Sequence, residues 1–143
     1  MIRFGLVATL LGFGFLILVG DVNAQTSAAG AQVVTVRMVD KSATQYVFEP
    51  ADITVAPGTV VRFELTGSIP HNVEFKDVPA GTDLGDARLG PFLLRKGETY
   101  EITIDERFVA GTHQYVCTPH EMMGMKGTIT VLSGDPKSRR DRR

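Results

Sequence analysis

Tyr115 to Val131 reads Y-V-C-T-P-H-E-M-M-G-M-K-G-T-I-T-V. A strand-like run ends at Cys117, a short loop follows, and Gly127 to Val131 reads as a returning strand. The chain's single cysteine stands at the end of the first run, His120 lies three residues on, and Met125 five beyond that. A thiolate, an imidazole and a thioether within nine residues are soft sulfur plus nitrogen, the donor set of copper sites built on two histidines, a cysteine and a weak axial methionine. One more histidine is needed, and His71, in I-P-H-N-V-E-F, is placed to supply it. Pro119 lacks an N–H and holds its predecessor extended, which stiffens the loop.

Outward from this stretch the periodicity is two. Val34, Val36 and Met38 alternate with polar neighbours, as do Val61, Phe63 and Leu65, and Tyr100, Ile102 and Ile104. Each pattern is a strand with one face in and one out. Shorter candidates are Tyr46–Phe48, Ile53–Val55, His71–Phe75, Thr112–Cys117 and Gly127–Leu132. Turn signals separate them at Ala56-Pro57-Gly58-Thr59, Thr66 to Pro70, Val78-Pro79-Ala80-Gly81, Lys96-Gly97-Glu98 and Ala110-Gly111. Short strands at this spacing, with no long helical pattern, predict an all-β protein, an antiparallel sandwich. Lys76 to Pro91 has the weakest pattern and reads as a long loop with a helical turn near Thr82 to Ala87.

The ends read differently. Arg3, an apolar run from Phe4 to Gly20 and the small residues Val22-Asn23-Ala24 form a secretory signal peptide pattern over residues 1–24. If uncleaved, the same segment anchors the protein to a membrane, although its run of 17 residues falls short of the ~20 a span needs. In either case the rest of the chain is exported, to the periplasm or an equivalent compartment. Residues 25–32 read as a flexible lead-in, 33–132 as the single domain, and 133–143 as a basic disordered tail. Between Gln25 and Gly134 stand 9 basic and 13 acidic residues; the tail's five basic residues restore near neutrality and read as a solvated end. No phosphate-binding glycine loop and no basic–aromatic stripe marks a nucleic-acid partner.

A lone cysteine in an exported chain cannot form an internal disulfide, and metal ligation holds it as thiolate. Alone, Cys117 would read as a buried hydrophobe; with His120 and Met125 at this spacing it does not. His113, isolated in a strand, reads as a structural histidine. Zinc accepts Cys and His, but a thioether is a poor zinc ligand, which favours copper. A nucleophile–base pairing of Cys117 with His120 lacks an orienting group, and an enzyme is not expected.

C-T-P-H-E-M-M-G-M, with P-H-N-V-E-F upstream, resembles the cupredoxins, most closely plastocyanin and pseudoazurin-like proteins. The likeness runs from about Val33 to Leu132 and includes A-P-G-T at Ala56 to Thr59, V-P-A-G at Val78 to Gly81 and G-E-T-Y at Gly97 to Tyr100. The resemblance implies an eight-stranded Greek-key β-sandwich holding one copper ion. His71, Cys117 and His120 would be its strong ligands and Met125 its axial one. Cupredoxins with shorter loops take the axial methionine at the spacing of Met123, which makes Met123 the rival; the following Gly-Thr-Ile-Thr-Val matches the longer loop and favours Met125. Asn72 is expected to bond across to Thr118. The implied function is an exported, monomeric carrier of single electrons between Cu(I) and Cu(II), docking redox partner proteins transiently near His120 through Ile69, Pro70, Phe92, Pro119 and Met122. A copper chaperone or storage protein is the alternative, motivated by the extra thioethers of Met122 and Met123. Plant plastocyanins carry an aromatic residue where this chain has Val116, and acidic runs that it lacks, which argues against a photosystem partner.

Overall fold

A computed structural model describes residues 31–134. The expected signal segment at 1–24 lies outside the described residues, as do most of the lead-in and of the basic tail. The chain forms β1 (Val33–Ser42), β2 (Gln45–Glu49), β3 (Asp52–Val55), β4 (Val60–Leu65), β5 (Glu74–Phe75), β6 (Thr99–Thr103), β7 (Gly111–Val116) and β8 (Lys126–Val131), with short 3₁₀ helices at Gly85–Arg88 and Thr118–Met123. One sheet has the order β2-β1-β4-β6 and the other β3-β8-β7-β5. The eight expected strands are all present, facing each other in two layers.

The alternating residues explain the layering. Val36 and Met38 on β1, Val61, Phe63 and Leu65 on β4, and Ile102 on β6 are buried from one side; Val55, Phe75, Tyr115, Ile129 and Val131 meet them from the other. Burying an apolar side chain of this size contributes about 1.5–3 kcal/mol, so the interior dominates the balance. Tyr115 anchors it. Its ring lies 4.8 Å from Phe48 and 5.4 Å from Phe63, both edge-on, and its hydroxyl donates to Ala51 O at 2.9 Å, which satisfies the one polar atom a buried tyrosine must place.

The sandwich is not wholly antiparallel as expected. β1 runs parallel to β4, from Val33 opposite Val60 to Met38 opposite Leu65, and β3 runs parallel to β8. Parallel neighbours cannot be joined by a tight turn, and here β2 and β3 intervene between β1 and β4 while the chain crosses between the sheets. Alternation reports which face a residue takes and is silent on strand direction.

The run His71–Phe75 is also less strand-like than expected. Only Glu74–Phe75 pairs with β7. Upstream, His71 forms an isolated bridge with Leu93, Glu74 bridges Leu89, and Gly90 N donates to Val73 O. The Lys76–Pro91 loop therefore folds back and supplies the partner a regular strand would have, after its one 3₁₀ turn, which sits slightly later than expected. By these pairings the far ends of β1 and β4 and the near end of β2 fall together, and the β7–β8 connection closes over them. Among the described residues no helix is long and apolar enough to cross a membrane.

Candidate metal centre

The β7–β8 connection is locked by its own backbone. Pro119 opens the 3₁₀ helix Thr118–Met123 in its first turn, where a missing N–H is harmless. His120 N donates to Cys117 O at 3.0 Å, Met125 N to His120 O at 3.1 Å, and Cys117 N to Met125 O at 3.0 Å. These bonds tie the backbones of Cys117, His120 and Met125 into one closed unit. Gly124, at φ 84°, makes the reversal that brings Met125 back; this left-handed conformation is costly for a residue with a Cβ. The sequence pattern predicts only a short loop here, and the structure winds it into a 3₁₀ helix.

His71 arrives from the segment before β5 and is held on both sides. Its backbone exchanges bonds with Leu93, His71 N to Leu93 O at 3.2 Å and Leu93 N to His71 O at 2.8 Å. The next residue, Asn72, is buried and clips the two ligand-bearing segments together as expected: its Nδ2 donates to Thr118 Oγ1 at 2.9 Å, and Thr118 N donates to its Oδ1 at 2.9 Å. The Thr118 hydroxyl in turn donates to Glu74 at 3.1 Å.

These elements bring together three of the four expected ligands. Cys117 Sγ lies 3.4 Å from His71 Nδ1 and 3.3 Å from His120 Nδ1, and the two Nδ1 atoms are 2.9 Å apart. All three residues are buried, and they are a group able to hold one metal ion. Bonds of about 2.0–2.3 Å at trigonal angles separate donors by about 3.5–3.8 Å; the two sulfur–nitrogen edges, at 3.4 and 3.3 Å, come close to that, and the 2.9 Å nitrogen–nitrogen edge must open by more than half an ångström to take an ion. Both imidazoles turn the same nitrogen, Nδ1, toward the sulfur.

Met125, the fourth expected ligand, is fully buried in the hydrophobic core that also includes Cys117, whereas Met123 is 51% exposed and Met122 97% exposed. His113 takes no part. It is buried elsewhere in β7 and donates from Nε2 to Val109 O at 2.8 Å.

The electrostatics suit a metal. Burial pushes the Cys117 thiol above its ordinary value, against the opposing pull of the Asn72 and His120 amides, so an incoming ion must displace a proton to gain the thiolate. Burial, helped by the neighbouring His71, pushes His120 down and keeps its imidazole in the neutral, ligating form.

Two neighbours were not singled out from the sequence. Tyr46 lays its ring 4.2 Å from that of His120. Asp40 approaches the outer nitrogen of His71, its Oδ1 lying 2.9 Å from Nε2. A signal for Asp40 existed: it continues the phase of Val34, Val36 and Met38, so a carboxylate sits where the pattern puts an inward-facing residue.

Comparison with known proteins agrees with this geometry. Residues 34–132 match the family of copper binding proteins described as plastocyanin/azurin. Plastocyanin A/B of Petroselinum crispum is 40% identical over 87 residues, covering 59% of this chain and 87% of that protein. The chloroplastic plastocyanin of Oryza sativa subsp. indica is 34% identical over 112 residues, 77% of this chain and 71% of that one. Among solved structures, oxidised plastocyanin from Dryopteris crassirhizoma superposes with a TM-score of 0.55 at 31% identity, covering 68% of this chain and 99% of its own. Pseudoazurin from Methylobacterium extorquens AM1 gives 0.53 at 26% identity, covering 76% and 81%.

Proposed function

Because the chain belongs to the plastocyanin/azurin family of copper-binding proteins, we propose how its own residues hold the copper and where electrons enter and leave. The protein is a copper-binding, plastocyanin-like electron carrier. His71 Nδ1, Cys117 Sγ and His120 Nδ1 would hold the copper as its strong ligands, and the Met125 thioether would be a fourth, weaker donor. The observation that carries this assignment is the buried triangle of donors, supported by the burial of Met125 against the exposure of Met123. When bound, copper supplies one-electron chemistry between Cu(II) and Cu(I).

The chain's contribution is stiffness. The closed backbone unit of the loop, the paired Asn72–Thr118 bonds and the Asp40–His71 contact hold the donors in one arrangement. Donors that do not move as the charge changes leave little to reorganise, and electron passage is correspondingly fast. No bond of a substrate is made or broken, and the protein is not an enzyme.

His120 is the electron port. Of the two histidines it is the one with some exposure, 8% against 0% for His71. Ile69, Pro70, Phe92, Pro119 and Met122 are all exposed. Ile69 and Pro70 lead into His71, Phe92 adjoins its bridge partner Leu93, and Pro119 and Met122 flank His120. An apolar surface of this kind suits brief docking of a redox partner through a small interface. The protein acts as a monomer, exported to the periplasm or an equivalent compartment after removal of residues 1–24. An intact mass of the exported protein tests that cleavage.

Voltammetry of the mature copper protein tests the function. A reversible one-electron wave with copper retained through repeated cycles is expected. Loss of copper on reduction, or its transfer to an acceptor apoprotein, would replace this reading with the chaperone or storage alternative.

A further inference from the structure

We propose that Asp40 is a positioning residue for electron transfer, whose carboxylate fixes the His71 imidazole in its ligating tautomer and stabilises the oxidised site. The inference rests on the ligand assignment above. His71 Nδ1 faces the sulfur, so the proton of the neutral ring belongs on Nε2, and Asp40 Oδ1 lies 2.9 Å from that nitrogen. His71 is fully buried, so the imidazole end of the contact is shielded from water, while the Asp40 side chain is 18% exposed.

The carboxylate is itself held. Its second oxygen accepts from Ser68 N at 2.7 Å and Ile69 N at 3.1 Å, with the Ser68 hydroxyl at 3.5 Å. Gly67 packs directly against it, and a Cβ there would collide with the carboxylate. The segment that delivers His71 is thus wrapped around the Asp40 side chain, at the point where the β1–β2 register shifts between Asp40 and Ser42.

The charge is otherwise unmet. Among the described residues no lysine or arginine pairs with Asp40; the adjacent Lys41 is turned to Glu49, at 3.0 Å. The negative charge therefore reaches the metal through the imidazole. A carboxylate on the outer nitrogen of a ligating histidine fixes its tautomer and raises its basicity. A more basic ligand, with a negative charge behind it, favours Cu(II) over Cu(I). Asp40 accordingly holds the potential below that of the same site with a neutral acceptor.

The test is the potential and spectrum of copper-loaded wild type, Asp40→Asn and Thr66→Val. Thr66 Oγ1 donates to Met38 O at 2.9 Å, so its variant loosens the same segment without altering charge. Asp40→Asn is expected to stay blue and to weaken Cu(II) binding about tenfold more than Cu(I) binding, the lower end of the usual effect of such a partner. That raises the potential by about 59 mV for one electron. Thr66→Val is expected to lose stability with a change below about twofold, or about 18 mV. An unchanged or lowered potential in Asp40→Asn overturns the proposal, as does an equal rise in both variants. If Asp40→Asn does not fold, wild-type Cu(I) protein decides by nitrogen-15 NMR: a protonated, slowly exchanging His71 Nε2 is expected, and an unprotonated or freely exchanging one refutes the role. A colourless wild-type complex would instead remove the ligand assignment itself, so the two failures are distinct.

Discussion

Replacing Asn72 with alanine removes the clip between the two pieces of chain that carry the metal-binding side chains. Two hydrogen bonds go with it, Nδ2 to Thr118 Oγ1 and Thr118 N to Oδ1, each 2.9 Å long. A hydrogen bond of this kind contributes about 0.5–1.5 kcal/mol net, so the pair is worth about 1–3 kcal/mol. Thr118 is exposed, and water can re-satisfy its amide and hydroxyl, which places the loss near the middle of that range, about 2 kcal/mol. For a domain of this size each kcal/mol moves the midpoint by about 4–8 °C, so Tm should fall by about 8–16 °C. The assay is thermal and urea unfolding of the metal-free protein, because bound copper adds stability by mass action and masks the difference. The urea slope should not change. A double-mutant cycle with Thr118→Ala should be non-additive by about 0.5–1.5 kcal/mol, since the two residues share the Nδ2 bond. A drop in Tm below about 4 °C with an unchanged slope, or full additivity in the cycle, would refute the clip as a structural tie.

Met125→Leu should raise the reduction potential, because removing the axial thioether takes a donor from the oxidised site, whereas Met123→Leu should leave spectrum and potential unchanged; the reverse result would make Met123 the axial ligand. The Tyr115 phenol is held above its ordinary value by burial, with the Asp52 carboxylate adding to the shift. A folded value above the unfolded one means stability fully present below about pH 10 and lost as pH rises beyond it. Tyr115→Phe should therefore cost about 1 kcal/mol at neutral pH, through the lost bond to Ala51, yet show a shallower loss between pH 10 and 12. Parallel alkaline unfolding curves for the two proteins would contradict this.

Much of the fold was legible because alternation is a local signal. Val61-Phe63-Leu65 and Tyr100-Ile102-Ile104 declare their inward faces without reference to any partner. The site was legible for a similar reason: Cys117, His120 and Met125 lie within nine residues, and their chemistry narrows the metal. What escaped was non-local. The parallel pairing of β1 with β4 depends on the path between them. The run before Phe75 owes its broken pairing to a loop that returns from Leu89 to Leu93. Thr118 to Met123 carry no helical period, and their 3₁₀ turns follow from the backbone bonds that close the loop. Asp40 was readable in principle from its inward phase, but an acidic residue near a strand end is more often solvated, and only the approach of His71 from 31 positions away gives it a partner.

The most direct measurement is the optical and paramagnetic-resonance spectrum of the purified domain with one equivalent of Cu(II), beside that of Cys117→Ser. If His71, Cys117, His120 and Met125 hold the metal, the wild-type protein turns intensely blue from charge transfer between the cysteine sulfur and a single copper, and the serine variant loses that colour. A colourless wild-type complex, or a blue colour that survives in Cys117→Ser, would contradict the account.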